Sequence, residues 1–260
     1  MADLDLRAVH GRLLGVLLEV DRVCRAHDIA YQLAAGTLLG AIRHAGFIPW
    51  DDDVDLCMTR AEYERFVAIA PAALGPAFLL RNRTTDETAS FAFSKVLGEA
   101  AEPGGRRVFI DIFPFDPVRP DRLFGRLHIA LAALLWRARA IGSRPAAAPR
   151  DLRGRLLAVA AMACRAIGPR RLNTATDWLA RLNGRRDTGF VACLVSGRPS
   201  ARKARPTHSL THRVEVAFEG HLLPAPHNHA EVLTNLYGEY LQLPPLEKRR
   251  PTHLHRPIVT

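Results

Sequence analysis

Four carboxylates fall within five positions, Asp51, Asp52, Asp53 and Asp55, in the run GFIPWDDDVDLCM from Gly46 to Met58. Like charges this close resist joint ionisation unless something neutralises them. Phe47, Ile48 and Trp50 precede the acids, and Val54, Leu56 and Met58 follow. A solvated acidic run would lie among polar neighbours, so this one is expected in a half-buried strand or its entry loop. A divalent cation would stabilise such a cluster, and hard oxygen ligands suit Mg²⁺, Mn²⁺ or Ca²⁺. Alternate side chains of a strand share a face, so Asp53 and Asp55 are expected to point the same way. That spacing lets two carboxylates grip one metal or bridge two.

Other residues join this set at a distance in sequence. Asp111 sits in VFIDIF, on the same strand face as Phe109 and Phe113. A carboxylate on an apolar strand is costly unless it is paired or bound to metal. Lys95 lies on a predicted strand from Phe91 to Leu97, on the face of Phe91 and Phe93, as either an edge lysine or a phosphate ligand. Ahead of the acids, Ala35-Gly36-Thr37 interrupts an apolar stretch. Strand, Gly-Thr, helix is an anion-binding geometry, because glycine admits a close ligand and the free N–H groups of the helix start point at it. Taken alone, a Gly-Thr turn is usually just a turn.

The elements that must position these residues follow from periodicity. Leu6, Val9, Leu13, Val16, Leu17, Val20, Val23 and Cys24 recur at helical spacing across 6–27. Ile29–Ala34 reads as a strand, Leu38–Arg43 as a short helix and Val54–Met58 as a strand. Thr59-x-x-Glu62 is a capping-box signature for a helix that Pro71 should end. Strands are expected at Phe78–Arg81 and Arg107–Phe113, with Pro114 and Pro117 stopping the sheet. From Leu123 to about Leu182 the composition turns to Ala, Leu and Arg, and predicts two or three helices divided at Ser143–Pro149. Phe190–Val195 and Val214–Phe218 read as strands, Phe218-Glu219-Gly220 and Leu223-Pro224 as a turn back onto the core, and Ala230–Tyr237 as a helix.

The chain has 260 residues, 48% of them hydrophobic and 24% charged, which allows a real core and argues against disorder. Its net charge of +10 suits anionic partners, although an arginine-rich background gives the same number. The arginines read as spread out, with short clusters such as Arg185-Arg186 and Lys248-Arg249-Arg250. Cys24, Cys57, Cys164 and Cys193 lack paired spacing, so buried free thiols and a reducing, cytoplasmic location are expected. No signal peptide or membrane-spanning run is evident. Arg-rich amphipathic faces at 122–141 and 150–171 suit either an anionic lipid surface or cover for a core.

Two carboxylates at x and x+2 on one strand, a third on a later strand, and a preceding Gly-Thr turn together resemble the nucleotidyltransferase fold. Its logic is two-metal phosphoryl chemistry. The string GTLLGAIRHAGFIPWDDDVDLCM (Gly36–Met58) resembles, more specifically, the LicD family signature. The likeness continues through Thr59–Pro71, FIDIFPFDP (Phe109–Pro117), FEGHLLPAP (Phe218–Pro226) and LYGEYLQLPPLEKR (Leu236–Arg249). It covers residues 10–117 and 214–253 and matches the helical middle only loosely. It departs at Ala35, where the family often has Gly or a polar residue, and at His229, where an acid is expected.

The resemblance implies an α/β (α+β) fold: a nucleotidyltransferase-like mixed sheet flanked by helices, with a helical insertion. The division it suggests is a catalytic core at 1–120, a helical insertion at 121–189 and a C-terminal segment, 190–260, returning to the core. It implies an enzyme using Mg²⁺ or Mn²⁺, a CDP-activated alcohol as donor, a cell-surface glycan or glycolipid hydroxyl as acceptor, and CMP as leaving group. Carried over, Asp53 and Asp55 become metal ligands, Asp111 a third ligand or the base, and Asp52 a support of the metal shell; Asp51 stays unassigned. Gly36 and Thr37 become the phosphate turn. Arg43, His44 and Lys95 become candidates to reach the donor, and Glu247, Lys248, Arg249 and His253 to close over it. Trp50 either packs in the core or stacks on a base. The localisation implied is cytoplasmic, with peripheral contact at the membrane face.

Two rivals remain at this stage. One is a nucleotidyltransferase that transfers the nucleotide itself. The other is a basic nucleic-acid- or lipid-binding protein without catalysis. Nucleic acid is not expected as a partner, because duplex binding gains nothing from four aspartates.

Overall fold

The computed structural model describes residues 6–86, 89, 91–100, 107–142, 152–184 and 186–251. The divider Ser143–Pro149, Arg185 and His253 lie outside the described residues. In chain order the regular elements begin α1 (Leu6–Ala26), β1 (Gln32–Leu33), α2 (Ala35–His44), β2 (Asp55–Thr59), α3 (Arg60–Ala73), β3 (Leu79–Arg81), β4 (Ser94–Ala100) and β5 (Arg107–Val118). Then come α4 (Leu123–Gly142), α5 (Leu152–Ile167), α6 (Pro169–Ala180), β6 (Phe190–Ala192), β7 (Arg205–Pro206), α7 (His208–Thr211), β8 (Arg213–Phe218), β9 (His221–Pro226) and α8 (His229–Tyr237). The chain is an α/β fold, and its contacts divide it into two units. One takes Met1–Arg81, Ser94–Pro114 and His208–Thr260; the other takes Asn82–Phe93 and Phe115–Thr207. Phe190–Thr207 therefore groups with the helices that precede it.

In the first unit the strands run β1-β2-β5-β4-β3, with β1/β2, β3/β4 and β4/β5 antiparallel. Helix α1 buries Val9, Leu13, Val16, Leu17, Val20, Val23 and Cys24, the row its spacing predicts. They pack in one core with Leu33, Leu38, Val54, Leu56, Phe66, Val96, Ile110 and Ile112. Phe218, Leu223 and Leu233 reach the same core from the C-terminal segment. Thr59 caps α3 by accepting from the Glu62 N–H at 3.3 Å. The reciprocal half of the box is absent, because the Glu62 carboxylate is taken by the Ala30 N–H and by Arg65.

The prolines behave differently from expectation. Pro71 lies inside α3, which continues to Ala73, so the missing N–H costs only one bond of the last turn. Strand β5 runs through Pro114 and Pro117 to Val118, and its end pairs with β6 in the second unit. Strand β4 begins at Ser94, so Phe91 and Phe93 stand before it and share no strand face with Lys95. Leu223-Pro224 is part of β9, which pairs with β8 from Arg213↔Pro226 to Phe218↔His221. Cys24 and Cys57 are buried as expected, whereas Cys164 and Cys193 are only half-buried; all four are free thiols.

In the second unit α4, α5 and α6 pack together as three helices. Ile129, Ala132, Leu172 and Leu179 are buried, and the His128 Nε2 meets the Leu179 carbonyl at 2.7 Å.

The turn that leaves α2 carries most of the local constraint around the acids. Ala45 caps the helix at φ 52°, a left-handed conformation that costs an L-residue with a Cβ roughly 1–2 kcal/mol. One turn earlier, a Cβ on Gly40 would lie 2.5 Å from the Gly46 carbonyl oxygen, backbone against backbone. Ala45→Gly is therefore expected to stabilise the protein by about 1 kcal/mol, and Gly40→Ala to destabilise it by about 2 kcal/mol or more. Urea midpoints measured at constant m-value check both signs.

Candidate active site

Helix α2 starts three residues earlier than its periodicity predicts, so Gly36 and Thr37 form its first turn and not a separate loop. Its N-cap, Ala34, makes no side-chain capping bond, and Ala35 enters at φ 43°. The first N–H groups of such a helix have no intrahelical partner and carry partial positive charge. The Thr37 side chain is buried, and its Oγ1 accepts from the Asp55 N–H at 2.8 Å. Asp55 O in turn accepts from Ala34 N at 2.9 Å. The turn thus holds the start of β2 in place.

Asp51 lies against this helix start. A Cβ on Gly36 would stand 2.6 Å from its Oδ2, so glycine is what admits the carboxylate. The Asp52 N–H donates to Asp51 Oδ1 at 3.2 Å, and His10, stacked flat on Phe47, meets the Asp51 carbonyl at 2.7 Å. Burial, the charge of Asp53 and a hydrogen bond shared with Asp53 push the Asp51 carboxyl up to about 8. Burial, then the charges of Asp53, Asp111 and Asp51, raise Asp55 well above the usual carboxylate range, with Lys95 opposing. Asp111 donates its N–H to the Val54 carbonyl at 2.8 Å, which places it beside the start of β2. Its side chain pairs with Lys95, its direct partner in the β4/β5 register. The Lys95 ammonium also lies 3.7 Å from the Phe109 ring centre.

Strand β2 begins at Asp55, so Asp53 stands before it and shares no strand face with Asp55; Asp53, Asp111 and Asp51 nevertheless each act electrostatically on Asp55. Asp52 is buried, and its charge also acts on Asp51. Among the described residues no three His, Cys, Asp or Glu side chains already converge as a finished metal shell. The chemistry of the donors nevertheless fits a hard divalent cation: several carboxylates set close together, and carboxyls driven toward their neutral forms by burial and like charge.

Beside the acids is a cavity of about 780 Å³, lined by Arg43, Trp50, Tyr237, Tyr240 and Arg249 among others. Arg43 Nη1 donates to the Tyr240 carbonyl at 3.0 Å, and its Nε to His44 Nε2 at 3.0 Å. The Arg249 guanidinium stands 5.4 Å over the Trp50 ring. Burial and the neighbouring Arg43 lower the His44 imidazole. Crowding, then the charges of Asp55, Asp51 and Asp53, raise the partly exposed Tyr237 phenol, which places it in the field of the acids. Trp50 both borders the core and lines the cavity. Lys248 is exposed on a 3₁₀ turn, Leu246–Lys248, and with His44 and Glu247 is not among the residues lining the cavity.

Sequence reasoning missed Tyr237, Tyr240, His10 and the role of Glu219. The two tyrosines stand three apart just before a basic, proline-rich tail, which was a usable signal. Glu219 sits in the two-residue turn between β8 and β9. Its carboxylate accepts from the Phe47 N–H at 2.9 Å, and its own N–H donates to Ala45 O at 2.9 Å. Nothing local marks that contact, since it joins residues 172 positions apart.

Crowded acids predict a sign for stability. An acid raised to about 8 in the fold, against roughly 4 in the unfolded chain, is stabilising while protonated. That contribution is full below pH 4 and lost as pH rises through 8. Without divalent metal, this contribution to thermal stability should fall between about pH 4 and pH 8. Asp53→Asn should flatten the fall and raise stability at pH 8 by about 1 kcal/mol. A variant less stable than wild type at pH 8 would contradict this reading of the charges.

The acids fall within a stretch that is similar to known proteins. Residues 28–125, which hold α2, β2 and Asp111, match the family model described as "LicD/FKTN/FKRP, nucleotidyltransferase domain". The whole chain aligns with the whole of a Haemophilus influenzae protein, the lipopolysaccharide cholinephosphotransferase LicD, at 28% identity over 278 positions. A 59-residue stretch is 36% identical to an uncharacterized Rickettsia typhi protein, covering 23% of this chain and 19% of that one. Another of 44 residues is 41% identical to an uncharacterized Rickettsia prowazekii protein, covering 17% and 16%. A family-model match over the acids, and an end-to-end likeness at lower identity, agree: residues 28–125 are similar to the LicD nucleotidyltransferase domain, and the whole chain is similar to a LicD protein.

Proposed function

We propose that this protein is a phosphotransferase that moves a phospho-alcohol, phosphocholine or a relative such as ribitol phosphate, from a CDP-activated donor to a hydroxyl of a cell-surface glycan, releasing CMP. The observation that carries the reading is the gathering of Asp51, Asp53, Asp55 and Asp111 at the start of α2, beside a cavity holding two arginines and a tryptophan. The full-length relative named as a lipopolysaccharide cholinephosphotransferase supports the same class of reaction.

In this reading Asp53, Asp55 and Asp111 hold Mg²⁺ or Mn²⁺, with Asp52 and Asp51 behind them. The ion would supply charge neutralisation at the donor phosphates and help align the attacking oxygen. The residues divide the remaining work. The N–H groups at the start of α2 and the guanidiniums of Arg43 and Arg249 attract the phosphates. Trp50 offers a face for the base. Lys95, the partner of Asp111, would offer its ammonium to a phosphate oxygen. The acceptor hydroxyl forms the new bond to the phosphorus that bears the alcohol, and the bond from that phosphorus to the CMP oxygen breaks. The hydroxyl proton passes to a carboxylate of the cluster, with Asp111 the assigned base.

CDP-choline, CDP-ribitol, CDP-glycerol and CDP-ethanolamine, each with Mg²⁺ and a crude glycan acceptor, provide the test. One of them should yield CMP together with a phosphorylated glycan. Asp55→Asn should lower the rate by about 10³-fold or more, and Arg249→Ala should raise KM by about tenfold. Pyrophosphate release from a nucleoside triphosphate, with no CMP from any CDP-alcohol, would establish nucleotide transfer in its place.

A further inference from the structure

The chain's positive charge is unevenly distributed. Residues 115–207 carry 19 Arg and Lys against five Asp and Glu, whereas the rest of the chain carries 17 against 21. The arginine excess that reads as diffuse therefore belongs to the second unit. Its helices α4 and α5 contain no acidic residue at all. The one acid of α6, Asp177, is paired with Arg83 and Arg181.

The same helices leave large apolar side chains in the open. On α4 these are Leu123, Phe124, Leu127, Leu131 and Leu134, exposed by 50 to 84%. Their spacing makes one stripe along the helix, opposite the buried row of Gly125, His128, Ile129 and Ala132. Arg122, Arg126 and Arg137 are exposed along the edge of that stripe. Helix α5 adds Leu156, Val159 and Met162. On α6, Trp178 is 66% exposed and lines a shallow hollow with Arg170, Arg171 and Thr174. A solvated face would not carry this much leucine, phenylalanine and tryptophan. Leu, Phe and Trp edged by Arg is the composition of a helix lying in a membrane interface. Among the described residues no helix is long and apolar enough to cross a membrane.

We propose that the helical unit docks on an anionic lipid surface through the exposed faces of α4, α5 and α6, without spanning it. The apolar stripes enter the acyl boundary, and the arginines meet anionic headgroups. Charge selects this occupant: a second copy would bring an equally positive face against the first, and nucleic acid would leave the apolar stripes uncovered. The inference goes beyond the proposed reaction and does not depend on it.

Co-sedimentation of the full chain with large vesicles tests it, using phosphatidylcholine alone and phosphatidylcholine with about 30% phosphatidylglycerol. Binding to the anionic vesicles should be at least about tenfold stronger, and weaker at high salt. Phe124→Ser combined with Leu127→Ser should reduce it by about tenfold. Arg122→Gln combined with Arg126→Gln should remove most of the preference for anionic lipid. Trp178→Ser, on a different helix, gives an independent reduction should an α4 variant fail to fold. Equal binding to both vesicles, undiminished binding by all variants, or a dimer in solution that the α4 substitutions dissociate without any vesicle binding would each overturn the proposal.

Discussion

Asp51, Asp53, Asp55 and Asp111 repel one another in a half-buried place where water cannot fully screen them. Burial and mutual charge drive Asp51 and Asp55 toward their neutral forms, and Lys95 pairs with Asp111. A site kept this way is strained electrostatically in favour of function, with carboxyls held above their ordinary range by burial and by one another. That mutual repulsion is what makes a divalent cation, and then the phosphates it attracts, the natural complement of the cluster.

Much of the first unit works against this repulsion. Gly36 leaves room for Asp51, the Thr37 hydroxyl fixes the backbone of Asp55, and the Val54 carbonyl holds the backbone of Asp111. The loop between α2 and β2 is secured from far along the chain by Glu219, which bonds to both Ala45 and Phe47. The segment after α8 brings Tyr240 and Arg249 to Arg43 and Trp50, so one wall of the cavity is made by the end of the chain. Removing the C-terminal segment would thus take away both a support of the acids and part of the cavity.

How much of this could be read from the residues depends on the range of the interaction. The x, x+2 spacing of Asp53 and Asp55, and the position of Asp111 on an apolar strand, are local patterns; Asp111 does lie in β5, whereas β2 begins only at Asp55 and leaves Asp53 before it. Helix α1 was legible for the same reason. The start of α2 was not, because Ala35 takes a positive φ that its side chain does not advertise. Pro114 and Pro117 suggest a strand end, yet β5 carries both, since a ladder tolerates a missing N–H at selected positions. Glu219 and the cavity tyrosines are tertiary, and periodicity carries no signal for contacts across some 170 to 200 positions. The concentration of arginine in 115–207 was present in the residues all along, but gained meaning only when the contacts showed that stretch to be a unit.

In the proposed reaction the acids act as a cation site made by several side chains together. Manganese binding followed by electron paramagnetic resonance addresses this without any substrate. Wild-type protein should take up Mn²⁺, and Asp53→Asn, Asp55→Asn and Asp111→Asn should each weaken uptake by about tenfold or more. Undiminished Mn²⁺ binding by all three variants would contradict the central claim.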